Sequence, residues 1–209
     1  MIRIAPHTIL ALSVLSAGAL PTSLPAASQV AQLADARSPR PLVKGLAKDF
    51  QKAATALRSP SRRHEAMKTL DDARRLGRVM RDELGPAGEA AYKFVESARH
   101  AVQTGRPDEA ARILETGAGR LTTLPFPNRF DSVDRTNVGT RVIDAEGRKL
   151  GRISAIDAAA GKATLKIGGV VDLFGFLDAG NRTVTVSNSD LAAGKMYAAY
   201  LGSESSLPR

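Results

Sequence analysis

Cysteine is absent from the 209 residues, which removes disulfides, thiolate metal sites, a thiol nucleophile and a lipid-modified N-terminal cysteine together. The chain must hold together by packing. Histidine is scarce, with His7 near the start and His64 and His100 standing singly on helical segments, so neither a histidine metal cluster nor a charge-relay triad has material to form. No Gly-x-Ser-x-Gly elbow occurs. Tyr92, Tyr197 and Tyr200 are too few and too scattered for a nucleobase-stacking platform. Asp144, Glu146, Asp157, Asp172 and Asp178 lack the loop spacing that would force them onto one calcium ion, and turn chemistry accounts for most of them. These absences lead us to expect no enzyme, no cofactor, no metal site and no nucleic-acid partner.

Long apolar runs are also lacking. The stretch Ile9 to Leu20 falls short of the ~20 residues that span a bilayer. With Arg3 ahead of it and the small-residue sites Ala17-Gly18-Ala19 and Ala26-Ala27-Ser28 behind it, it reads as a secretory signal over residues 1–28, which implies a periplasmic or secreted protein with no transmembrane segment once processed. The net charge of +9 is concentrated in the middle of the chain: residues 29 to 124 carry 18 Lys and Arg against 12 Asp and Glu, and residues 125 to 209 carry 11 against 9. For an exported protein such a balance points to an anionic surface, an envelope component or an acidic protein partner.

What is present divides the chain in two. Residues 29–41 show no sustained period and read as a linker. Leu42, Leu46, Phe50, Ala54 and Leu57 recur on one helical face. Ser59-Pro60-Ser61 ends that helix and offers a cap for the next, whose apolar face is Met67, Leu70, Ala73, Leu76, Met80 and Leu84. Gly85-Pro86 stops it, a third helix carries Ala91, Phe94, Val95, Ala98 and Val102, and a fourth begins near Asp108 after Gly105-Arg106-Pro107. A shift of 44 residues pairs Phe50 with Phe94, Ala54 with Ala98 and Leu70 with Leu114. That is what a duplicated helical hairpin would show, although alanine-rich helices produce such matches without duplication. The helical domain thus covers residues 42–121.

Residues 122–136, with two prolines and no apolar period, read as a second linker that leaves the two halves to fold independently. Beyond it the period changes to two: Lys162 to Ile167 and Arg182 to Ser187 alternate apolar with polar residues, as half-buried strands do. The stretch GTRVIDAEGRKLGRISAID, residues 139 to 157, has glycines spaced like a phosphate loop, but no helix follows a strand there and the lysine and hydroxyl order is wrong. It is instead a hairpin, with Ala145-Glu146-Gly147 as its turn and Gly151 marking a bend inside the return strand.

Val142 to Ile153, a short β-branched strand, an acidic-glycine turn and a "lysine, apolar, glycine, basic, apolar" return, resembles the opening hairpin of the PRC-barrel domain, whose members commonly begin with a valine-rich strand. Gly175-Phe176-Leu177 and Thr183 to Val186 followed by Leu191 are similar to that family's later landmarks. The resemblance covers residues 137–201 and leaves 202–209 as a tail. It implies a small β-barrel that works by contact with a large assembly and brings no catalytic residues with it. The expected fold is therefore α+β, an N-terminal bundle of about four helices followed by a small PRC-like β-barrel. The expected function is that of an exported, non-enzymatic binding or adaptor protein of the cell envelope; the alternative is a periplasmic carrier or sensor of a small ligand or cation.

Two surfaces are the candidate sites. Arg74, Arg78 and Arg81, at i, i+4 and i+7, form a basic stripe able to bind anions, although neighbouring acidic residues would also make it an ordinary solvated face. Leu173, Phe174, Phe176 and Leu177 form the most apolar stretch of the C-terminal half; in an extended strand the phenylalanines share one face and the leucines the other, so one pair fills the barrel and the other meets the helical domain, another subunit or an outside partner.

Overall fold

The computed structural model describes residues 38–168, 182–202 and 204–207. Among these residues four α-helices precede six β-strands: α1 (Arg40–Leu57), α2 (Arg63–Glu83), α3 (Gly85–Gln103), α4 (Pro107–Leu121), then β1 (Arg141–Ile143), β2 (Lys149–Asp157), β3 (Lys162–Ile167), β4 (Arg182–Ser187), β5 (Leu191–Ala193) and β6 (Tyr197–Tyr200). The architecture is α+β, a helical part followed by a curled half-barrel sheet.

Each helix forms because its apolar residues fall on one stripe and the turns between helices are short. Leu42, Leu46, Phe50 and Leu57 of α1 and Leu70, Leu76 and Met80 of α2 are buried in one cluster with Ala91, Val95 and Ala98 of α3 and Leu114 of α4. Met67, Phe94 and Val102 pack at its margin. The Ser59-Pro60-Ser61 stretch does not cap α2 through a side chain; Pro60–Arg62 is a 3-10 turn and the two serine hydroxyls bond each other at 3.0 Å. Gly85 is itself the first residue of α3. Its φ of 56° turns the chain sharply after Leu84, a conformation that costs glycine nothing. Small residues draw the helices together, for a Cβ at Gly117 would lie 2.8 Å from the Phe50 ring.

The sheet order is β4-β3-β2-β1-β6-β5. The β1–β2 hairpin is antiparallel with a register shift between Val142 and Ile143, and β1 also pairs in parallel with β6. That register shift leaves Leu150 as an extra residue on β2, directly beside Gly151, and a second shift in β2 lies between Ile153 and Ala155. Gly151 also admits β3 at close range, since a Cβ there would overlap the Lys166 carbonyl. Strands β5 and β6, short and alanine-rich, have no alternating period and were not legible as strands.

The sheet has two apolar sides with different partners. Its concave side encloses Val142, Ile153, Leu165, Val184, Val186 and Leu191. On its other side Ile143, Ala192, Tyr197 and Ala199 belong to the same buried cluster as the helices, and α2 lies against β5 and β6. Phe130 and Val133, within the 122–136 connection, are buried in the helical and the sheet cluster respectively. Ser132 bridges to Ala192. Helices and sheet are thus packed into each other over part of their surfaces.

Candidate functional site

The three arginines of the α2 stripe lie at different contacts. Arg74 points across to α3, where its Nε donates to Glu96 Oε1 at 2.7 Å and its Nη2 to Glu96 Oε2 at 3.3 Å. Arg81 pairs with Asp82 at 3.1 Å and sits over the Tyr92 ring, 4.9 Å from its centroid. Arg78 reaches towards the β5–β6 turn, its Nη1 lying 3.9 Å from Met196 Sδ. The stripe therefore runs along the seam between α2, α3 and the sheet. The other sequence-derived surface, Leu173, Phe174, Phe176 and Leu177, lies outside the described residues, as do Asp172 and Asp178.

A denser group of charges forms where the β1–β2 hairpin meets the helices. Gly45 of α1 and Gly147 of the hairpin leave room for backbone to touch backbone: a Cβ on Gly45 would overlap the Ala145 carbonyl, and one on Gly147 would overlap that of Asp72. Around this contact Lys48 Nζ donates to Glu146 Oε1 at 2.5 Å, and Arg75 Nε donates to the Gly147 carbonyl at 2.9 Å while also pairing with Asp72. Asp144 is fully buried. Its Oδ1 accepts from the Glu146 and Arg148 amides, both at 2.9 Å, and its Oδ2 pairs with Arg148 at 2.6 Å. This is an Asx-type turn lock.

Asp49 stands one helical turn beyond Gly45, on the same face. It is 6 % exposed, its Oδ2 has no hydrogen-bond partner, and burial pushes its carboxyl up to about 8, with Asp72, Glu146 and Asp144 adding to the rise. Glu83, at the end of α2, is pushed up to about 7, again chiefly by burial, although it accepts from the Asp131 amide at 3.3 Å. Neither residue was singled out from the sequence, yet Asp49 carried a signal: it interrupts the apolar face of Leu42, Leu46 and Phe50. Among the described residues no group of three metal-ligating side chains is close enough to hold an ion.

The sheet carries a further cationic feature. On the side away from the Leu165 and Val184 core, Arg141 stands directly opposite Arg152, which stands opposite Lys166, which in turn pairs with Thr183. Directly opposed side chains in an antiparallel pair are about 5 Å apart at Cβ. Three cations thus form one row across β1, β2 and β3. The row begins beside Tyr197, the parallel partner of Arg141, which is buried against the helices.

An open groove of about 620 Å³ lies between α3 and α4, lined by Phe94, Ser97, His100, Arg106, Glu109 and Ile113 among others. His64 is exposed, as is His100 at the groove. No helix of the described residues is long and apolar enough to cross a membrane. No protein-family model, no curated protein and no solved structure matches this chain.

Proposed function

We propose that the protein is an exported, non-enzymatic binding or adaptor protein of the cell envelope, with a PRC-like sheet as its contact module and an anionic partner as its target. The observation that carries this reading is the Arg141, Arg152 and Lys166 row. Arg152 and Lys166 also hold partners within the chain, and the summed positive field of the row draws a partner bearing carboxylates or phosphates to this face. The leader-like start supports the compartment. The resemblance of residues 142 to 153 to the opening hairpin of the PRC-barrel domain supports a contact role.

In vivo crosslinking in native cells identifies the partner, and substitution tests the face. Changing Arg141, Arg152 and Lys166 to glutamine together should remove most of the crosslinked partner and flatten the salt dependence of binding. Full crosslinking by the triple variant, with an unchanged salt profile, would defeat the reading. A second reading, a carrier of a small ligand, is favoured by the groove between α3 and α4. A metabolite that fits there should raise the melting temperature in proportion to its excess over Kd, and alanine at Phe94 should abolish that rise.

A further inference from the structure

We propose that the docking of the β1–β2 hairpin tip on α1 and α2 is a proton-controlled latch, closed while the Asp49 carboxyl is neutral and released when it ionises. Ile143 anchors β1 in the helical cluster, and beyond it the tip touches the helices through backbone: Gly45 meets Ala145, and Gly147 meets Asp72. Polar bonds do the rest, Lys48 to Glu146 and Arg75 to the Gly147 carbonyl. Segments held by few buried apolar contacts open locally at low free energy.

The charges facing Asp49 make ionisation there unfavourable. From α2 it meets Asp72, and from the hairpin Asp144 and Glu146. The neighbouring cations are already engaged: Lys48 with Glu146, Arg75 with Asp72, and Arg148 with Asp144 and at 3.7 Å with Glu146. Lys52, one turn along α1, is the cation that acts on Asp49, and it also lies 3.9 Å from Glu65. Lys68 acts on Asp72. Asp49 itself has no salt bridge among the described residues, and its Oδ2 is buried without a donor. A neutral carboxyl tolerates such a site far better than an ion, whose burial costs several kcal/mol unless paired. Loss of the proton is relieved when the hairpin tip lifts and water reaches the carboxylate.

The natural absence of cysteine gives a clean test on the full chain. A single thiol is placed by Ala145→Cys at the tip, and in a second protein by Ala163→Cys in the fully buried sheet core. Labelling rates are measured from pH 6.5 to 9.5 and divided by the thiolate fraction of the same protein unfolded. At the tip the corrected rate should rise about tenfold per pH unit and level off above about 8, because the open form is ionised where the closed form still holds its proton. Asp49→Asn, a neutral isostere, should make the rate independent of pH, and Glu146→Gln should keep the rise. A flat profile in the parent overturns the latch, and so does a rise that survives Asp49→Asn or vanishes with Glu146→Gln. Equal rates at Ala145→Cys and Ala163→Cys would also overturn it, since the chain would then be opening as a whole.

Discussion

Gly147 of the hairpin turn lies so close to Asp72 of α2 that a Cβ at position 147 would overlap the Asp72 carbonyl, and its φ is 74°. Two constraints, a left-handed backbone and a backbone contact 75 residues away in sequence, therefore fall on one residue. Gly147→Ala should lower stability by roughly 2–4 kcal/mol, measured by urea denaturation. Gly119, in α4 with open space around its Cα, is the control. Its change to alanine should stabilise by about 0.5–1 kcal/mol through helix propensity.

Global stability should fall as pH rises from about 4 to about 8. The sign follows from Asp49, whose carboxyl is raised from 3.8 to about 8 in the folded chain. Between those values the folded state holds a proton that the unfolded state has lost, so unfolding becomes easier with each pH unit, by about 1.4 kcal/mol for a single proton. Glu83, raised from 4.5 to about 7, acts in the same direction over a narrower window. Denaturant melts at five pH values should show the slope, and Asp49→Asn should reduce it while raising stability at pH 9.

Replacing Arg74, Arg78 and Arg81 with glutamine should weaken retention on anionic vesicles at low salt and lose that effect as salt rises, since each charge near an anionic surface contributes about 1 kcal/mol. The fold should survive. The Arg74 to Glu96 pair links partly exposed side chains, a class worth ~0–1 kcal/mol. Retention that is unchanged across the salt series would return the stripe to a helix-seam role.

Ile143→Ala should destabilise helices and sheet together. This side chain is fully buried on β1, yet its packing partners include the helical cluster; removing it should cost about 2–4 kcal/mol. Far-UV circular dichroism and hydrogen exchange on α2 and β6 should shift in parallel. A loss confined to the sheet amides would mean that the two parts unfold separately.

Much of this molecule was legible in local pattern. Apolar spacing at Leu42, Leu46 and Phe50 specified a helix face, the glycines at 85 and 105 its turns, and alternation at Lys162 to Ile167 a strand, because each depends on near neighbours in the chain. The acidic-glycine turn at 145 to 147 was readable for the same reason. The short strands β5 and β6 were not, since Leu191 to Ala193 and Tyr197 to Tyr200 become strands by pairing with partners elsewhere, β6 with β1 in parallel.

The same division governs the sites. Local spacing puts Arg74, Arg78 and Arg81 on one helix face, and the lack of cysteine excludes thiol chemistry. Packing of distant segments brings Arg74 to Glu96, sets Arg141, Arg152 and Lys166 opposite one another, and buries Asp49 one turn from the Gly45 to Ala145 contact. The physical reason is range. Helix periodicity and turn chemistry act over a few residues, whereas strand register, burial and the field at a carboxyl are set by groups that meet only when distant parts of the chain pack together.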